Sequence, residues 1–146
     1  MTEQSVIDTS LRIVKHISAS VEDVYQAWTD AEQVKQWMGP GQVKCETVDI
    51  DLKVGGQYSI AMITAEGEHP NAIGEYKEII PNEKLVFTWT WKGGEMPDTL
   101  VTLDFKAKYG GTELTLLHEQ FPAKEAAEKH NQGWEGCLAG LEEFLK

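Results

Sequence analysis

Four histidines, two cysteines and five tryptophans carry most of the chemistry open to this chain. His118 and Glu119 stand side by side at the end of an alternating run, where neighbours face opposite sides, so they cannot work as a pair on one bound molecule. His118 shares its face with Leu114 and Leu116 and is expected to point inward. An imidazole there suits either a general base titrating near neutrality or a hydrogen-bonded place in the core. His130 falls on the apolar face of a helical stretch and has the same two readings. His69, beside Pro70, reads as a solvated turn residue. His16, His69, His118 and His130 include no i, i+4 pair, and Cys45 and Cys137 make no metal or redox spacing. No metal or other cofactor is therefore expected, and the two cysteines read as reduced, buried thiols. Glu75 and Glu78 lie three apart on one strand, which predicts opposite faces and rules out an acid–base pair. Nucleophile elbows (GxSxG), phosphate loops (GxxxxGK) and dinucleotide fingerprints (GxGxxG) are missing, and the Gly-Gly pairs at 55–56, 93–94 and 110–111 fall between strands as turns.

The tryptophans are the more informative set. Trp89 and Trp91 share one face of a strand, and Trp134 points from a long helix toward the sheet. With Tyr58, Tyr76 and His118 they would line one interior space, the tyrosine hydroxyls and the imidazole being its polar anchors. The same pattern also describes a core packed without room.

The elements that position these residues follow from periodicity. Residues 11–17 alternate with Leu11, Ile13 and Ile17 apolar and Arg12 and Lys15 polar, as in a strand with one wet face. Ser20 is a candidate N-cap, with Asp23 three residues on. Val21, Val24, Tyr25 and Trp28 then mark one helical face. Asp30 and Gln33 repeat the cap signal before a shorter helix carrying Val34, Trp37 and Met38, which Gly39-Pro40-Gly41 ends. Between 43 and 120 the chain reads as strands, clearest where Leu85, Phe87, Trp89 and Trp91 alternate with Val86, Thr88 and Thr90. After Pro122, a helix from near 123 to near 145 places Ala126, His130, Trp134, Cys137, Leu138, Leu141, Phe144 and Leu145 on one broad face. Gly133, Gly136 and Gly140 lie along its flank. Each costs about 1 kcal/mol against alanine, so backbone approach or room for a ligand must explain them.

Residues 1–10 read as a polar tail and 11–146 as one domain. The fold class is α+β: a curved antiparallel sheet of about six or seven strands wrapped around a long C-terminal helix, with two short helices after the first strand. A length of 146 residues suits one domain, and 13 basic against 24 acidic residues leave a net charge of −11. That charge argues against nucleic acid and acidic membrane surfaces as partners. No apolar run approaches the roughly 18 residues of a membrane span, and the opening MTEQSVIDTS lacks the pattern of a signal peptide, so a cytoplasmic protein is expected. Oligomeric state leaves no mark on the sequence.

Several motifs, taken in order, resemble the helix-grip, START-like superfamily (SRPBCC). They are Val24-Tyr25-Gln26-Ala27-Trp28-Thr29-Asp30 with Trp37, Val54-Gly55-Gly56-Gln57-Tyr58, Gly74-Glu75-Tyr76-Lys77-Glu78-Ile79, Leu85-Val86-Phe87-Thr88-Trp89, Gly111-Thr112-Glu113-Leu114-Thr115-Leu116, and Gly133-Trp134 with Leu138 and Leu141. Together they cover nearly the whole chain and look most like the branch named after the activator of the heat-shock protein 90 ATPase. The resemblance implies a cavity between sheet and long helix that takes apolar or aromatic ligands. No catalytic motif carries over.

Three functions follow as expectations. The first is a binding module for a small apolar or aromatic molecule, held in a pocket of a few hundred Å³ that Gly136→Leu would fill. The second is a co-chaperone-like protein whose surface engages a chaperone ATPase. The third is a cyclase- or hydrolase-type enzyme in which His118 or Tyr76 polarises a carbonyl. More of the sequence favours a binding protein than an enzyme.

Overall fold

The computed structural model describes residues 2–39 and 41–146. Its eleven elements are β1 (Thr2–Ile7), β2 (Ser10–Ile17), α1 (Val21–Thr29), α2 (Ala31–Trp37), β3 (Lys44–Ile50), β4 (Gln57–Ile63), β5 (Asn71–Ile80), β6 (Lys84–Trp91), β7 (Thr99–Lys108), β8 (Gly111–Glu119) and α3 (Lys124–Phe144). The strands form one eight-stranded sheet in the order β1-β2-β8-β7-β6-β5-β4-β3, with antiparallel neighbours throughout. Period-two alternation gives this sheet one apolar face. Leu11, Ile13 and Ile17, Tyr58, Ile60 and Met62, Leu85, Phe87 and Trp89, Val101, Leu103 and Phe105, and Leu114 and Leu116 are all buried on it. The long helix α3 supplies Ala127, Trp134, Cys137, Leu138 and Leu141 to the same core. This is the helix-grip architecture expected from the periodicity.

The two cap signals form as the residue types dictate. Ser20 Oγ accepts the Asp23 backbone N–H at 3.1 Å, and Asp30 Oδ1 accepts that of Glu32 at 3.1 Å. The short helices close one end of the sheet, where Trp28 and Trp37 pack edge to face with ring centres 4.7 Å apart. The Trp37 indole N–H donates to the Ala27 carbonyl at 2.9 Å.

Three local expectations need correction. Within the 1–10 segment read as a tail, Thr2–Ile7 is an edge strand, the eighth of the sheet, paired to β2 from Thr2 opposite Lys15 to Ile7 opposite Ser10. Backbone hydrogen bonds hold an edge strand without needing an apolar face, so a polar sequence hides it. Lys15, read as solvent-facing, has the parity of Leu11, Ile13 and Ile17. It lies on the inner face and reaches Glu142 of α3 at 3.5 Å, keeping its ammonium paired while its stem packs. The third concerns Glu75 and Glu78. A register shift between Tyr76 and Glu78 adds one residue to β5, so both carboxylates turn to the outer face. There they pair with Lys77 at 3.2 Å and Lys84 at 3.9 Å. They are exposed surface pairs, worth little to stability.

Candidate functional site

Two spaces stand out on the inner face among the described residues. The larger, about 200 Å³, is bordered by Met38, Met62, Trp89, Trp91, Lys129, His130, Gly133, Trp134 and Cys137. Strand and helix each supply part of this wall for a reason already visible in their periods. β6 turns Trp89 and Trp91 to the same side, and α3 turns Gly133, Trp134 and Cys137 toward them, with Lys129 and His130 a turn earlier. Ring centres are 5.0 Å apart for Trp89 and Trp134, and 5.5 Å for Trp89 and Trp91, which stand nearly perpendicular. Lys129 is the exposed member of the wall and marks its mouth. The smaller space, about 20 Å³, sits under α1 and α2 among Trp28, Val34, Met38, Ile50, Tyr58, Ile60, Tyr76, Leu85, Phe87 and Trp89. That is room for a single water.

The six residues expected to line one pocket are therefore divided. Trp89, Trp91 and Trp134 border the larger cavity. Tyr58 and Tyr76 lie in the aromatic cluster with Phe87 at the other end, with ring centres 5.7 Å apart. The Tyr58 hydroxyl donates to the Thr88 carbonyl, and burial pushes both phenols upward in pKa.

His118 is fully buried and borders neither space. Its Nδ1 accepts the Trp134 indole N–H at 3.0 Å. Its Nε2 lies 2.7 Å from the Thr99 hydroxyl, which itself donates to the Trp89 carbonyl at 2.6 Å. With that proton committed, Thr99 Oγ1 must accept from His118 Nε2–H, which assigns the neutral Nε2–H tautomer. Both nitrogens are occupied, and burial beside His130 holds the imidazole well below its usual pKa. His130 is fixed the same way. Its Nδ1–H donates to the Ala126 carbonyl at 2.8 Å, and its Nε2 accepts the Trp91 indole N–H at 3.1 Å. Burial lowers its pKa too.

Sequence reasoning did not place Met38, Met62, Lys129 or Cys137 at a site. Met62 shares the parity of Tyr58 and Ile60, and Lys129 lies four residues before Gly133, one helical turn. Those two spacings were the available signals. Burial pushes the thiols of Cys45 and Cys137 up to about 11, so both stay protonated at neutral pH. Among the described residues no three His, Cys, Asp or Glu side chains gather where a metal could be held.

The glycines of α3 have separate reasons. At Gly140 a Cβ would lie 2.9 Å from the Trp37 carbonyl oxygen, so the helix passes close to α2 there. At Gly133 a Cβ would meet nothing within 4 Å. Gly133, and not Gly136, borders the cavity, so the filling substitution belongs at 133. Gly133→Ala is expected to raise stability by about 0.5–1 kcal/mol, since it removes the helix penalty of glycine without a clash. Urea denaturation measures it, and a loss of stability would contradict the open space.

A single helix gripped by one antiparallel sheet, with an apolar cavity between them, defines a START-like helix-grip protein. The model of the family described as activator of Hsp90 ATPase homolog 1-like protein matches residues 18–146, and the chain belongs to that family. Among solved structures, protein CV1439 from Chromobacterium violaceum is 26% identical with a TM-score of 0.87, over 94% of this chain and 96% of that one. Protein Ms6760 from Mycobacterium smegmatis is 19% identical with a TM-score of 0.86, over 100% of this chain and 96% of that one. CalU16 from Micromonospora echinospora is 24% identical with a TM-score of 0.74, over 100% and 84%. The last two likenesses show the fold alone. A search among curated proteins finds no match.

Proposed function

We propose that this protein binds a small aromatic or apolar molecule in the cavity between β6 and α3. The observation that carries this reading is the missing volume itself. Three indoles, two thioethers and a thiol surround about 200 Å³, and Gly133 withholds a side chain where nothing else fills the gap. Such a gap leaves apolar surface uncovered at about 25 cal/mol per Å², a cost that a bound apolar molecule relieves. An apolar cavity of roughly 150 Å³ accommodates one benzene ring, so this one suits a single substituted ring or a compact fused pair.

Native mass spectrometry of freshly purified protein, followed by titration of tryptophan fluorescence with small aromatics, tests the proposal. Gly133→Leu is expected to abolish binding and leave the circular dichroism spectrum unchanged. Wild-type protein that takes up no aromatic probe at millimolar concentration would sink the reading.

The family match favours a second reading, contact with a chaperone ATPase through the surface. Co-purification with such an ATPase, unaffected by Gly133→Leu, would select it. An enzymatic role through His118 or Tyr76 has less support. Neither borders the cavity, and His118 has no free nitrogen to take a proton. Among the described residues no helix is long and apolar enough to cross a membrane, which agrees with the cytoplasmic location we propose.

A further inference from the structure

We infer that the outer face of the sheet carries a second binding site, for a small neutral polyhydroxylated molecule of the mono- or disaccharide class. This site is separate from the cavity between β6 and α3 and does not depend on it.

A cleft of about 520 Å³ lies on the outer side of β3, β4, β5 and β6, within the size range of small-molecule sites. The strand register explains what lines it. Asp49 pairs with Ser59, Ser59 with Ile73, and Ile73 with Thr90, so these four stand in one row across the sheet. Their parity is opposite to that of Tyr58, Ala72 and Trp89, which are buried in the core. Gln57 opposite Glu75 begins a second row, which Thr88 continues by accepting the Glu75 backbone N–H at 2.9 Å. Lys92, just after β6, and Asp98, just before β7, complete the wall. Thr90 ties this connection down, its hydroxyl donating to the Met96 carbonyl at 2.6 Å. Unlike the inner cavity, the cleft has a wall that is as polar as it is apolar.

The hydrogen bonds already made fix what the cleft still offers. Ser59 gives its proton to Asn71 Oδ1 at 3.0 Å, and Thr90 gives its own to Met96, so both hydroxyl oxygens have only lone pairs left for a ligand. Thr88 Oγ1 is already an acceptor and keeps its proton to donate. Lys77 is held by Glu75 at 3.2 Å. Among the described residues the Asp49, Asp98 and Lys92 side chains enter no ion pair. The free acceptors are thus Ser59, Thr90 and two carboxylates, and the free donors are the Thr88 hydroxyl, the Gln57 amide and the Lys92 ammonium. Ligand hydroxyls answer both sets, because each donates one proton and accepts at two lone pairs. Two neighbouring hydroxyls also match the two oxygens of one carboxylate. Ile73, inside the first row, gives the C–H face of a sugar ring an apolar floor.

Charge argues against the other classes. Asp49, Glu75 and Asp98 oppose an anion, and Lys77 and Lys92 oppose a cation. A zwitterion would engage one charge of each sign and leave the rows of hydroxyls unmatched.

Four disaccharides (maltose, cellobiose, lactose and trehalose) probe the neutral class, with glycylglycine, spermidine and citrate for the zwitterion, cation and anion. Each is titrated into the full chain while backbone and indole N–H resonances are followed by NMR. We expect a disaccharide to move the Ser59, Ile73, Glu75 and Thr90 amides with a millimolar Kd and to leave the Trp134 indole N–H in place. Asp49 and Asp98 are exposed, so the double variant Asp49→Ala/Asp98→Ala should fold as wild type does. It should bind the same sugar about tenfold or more weakly. Gly133→Leu, which fills the inner cavity, should leave that affinity unchanged. Outer-face amides that stay still in every disaccharide at tens of millimolar overturn the inference. So does an affinity unchanged in the double aspartate variant, or tighter binding of glycylglycine, spermidine or citrate at the same amides.

Discussion

Gly74→Ala is expected to destabilise the protein by about 3–5 kcal/mol, a large share of the stability of a domain this size. Gly74 pairs with Tyr58 across β4 and β5. A Cβ at 74 would overlap the Thr88 carbonyl oxygen and lie 2.6 Å from both the ring and the hydroxyl of Tyr58. The first of those atoms is backbone and cannot swing aside. The opening is already structured around the missing side chain. Thr88 O accepts the Tyr58 hydroxyl, and Thr88 Oγ1 accepts the Glu75 N–H. Alanine would force β5 from β6, and with them the register that aims Trp89 and Trp91 inward. Thermal melts should fall by roughly 10–15 °C. A midpoint within a few degrees of wild type would show that the strands part easily there.

The second large effect is on pH dependence. His118 and His130 are neutral in the fold and have pKa values held below the ordinary 6.5, mainly by burial. The unfolded chain takes up these two protons near pH 6.5, whereas the folded chain resists them. Their contribution to stability is therefore present above pH 6.5 and is lost as pH falls below it. Protonation would also set two N–H groups against each other, at His118 Nδ1 facing Trp134 and at His130 Nε2 facing Trp91. The rings are 5.4 Å apart, so the second charge would feel the first. Each proton is worth about 1.4 kcal/mol per pH unit, so two sites give a slope of up to about 2.7 kcal/mol per unit between pH 6.5 and 5. Urea denaturation at pH 7.5, 6.0 and 5.5 measures it. His130→Gln should reduce the slope, by at most about half. A free energy of unfolding that stays flat across this range would mean that the histidines take up protons in the folded chain as easily as in the unfolded one.

The sheet and the gripping helix were legible because both bury one face, and burial writes a period into the sequence. Leu85, Phe87, Trp89 and Trp91 show it in β6, and Trp134, Cys137, Leu138 and Leu141 show it in α3. What alternation reports is the side a residue faces, not its place along the sheet. Tyr58 and Tyr76 face inward as expected, yet they lie beneath α1 and α2, away from the space between Trp91 and Gly133. The bulge in β5 was invisible for a related reason. One added residue changes no local pattern around Lys77, only the parity of everything after it. Strand β1 left no signal because nothing in an edge strand requires apolar side chains.

The chain of hydrogen bonds from Trp134 through His118 and Thr99 to Trp89 has a consequence for how such proteins can diverge. An apolar helix resting on an apolar sheet has several seats of similar energy, one turn apart. Sliding α3 by a turn would break the two side-chain bonds that cross from helix to sheet, Trp134 to His118 Nδ1 and Trp91 to His130 Nε2, and leave buried indole N–H groups and imidazole nitrogens without partners. One seat is thereby singled out by polar groups, together with the close passage of Gly140 over the Trp37 carbonyl. The apolar residues around it are released from the task of setting register. Positions such as Met38, Met62 and Gly133 can then change in volume without moving the helix, and a cavity can be reshaped for a new molecule inside a frame that stays where it is.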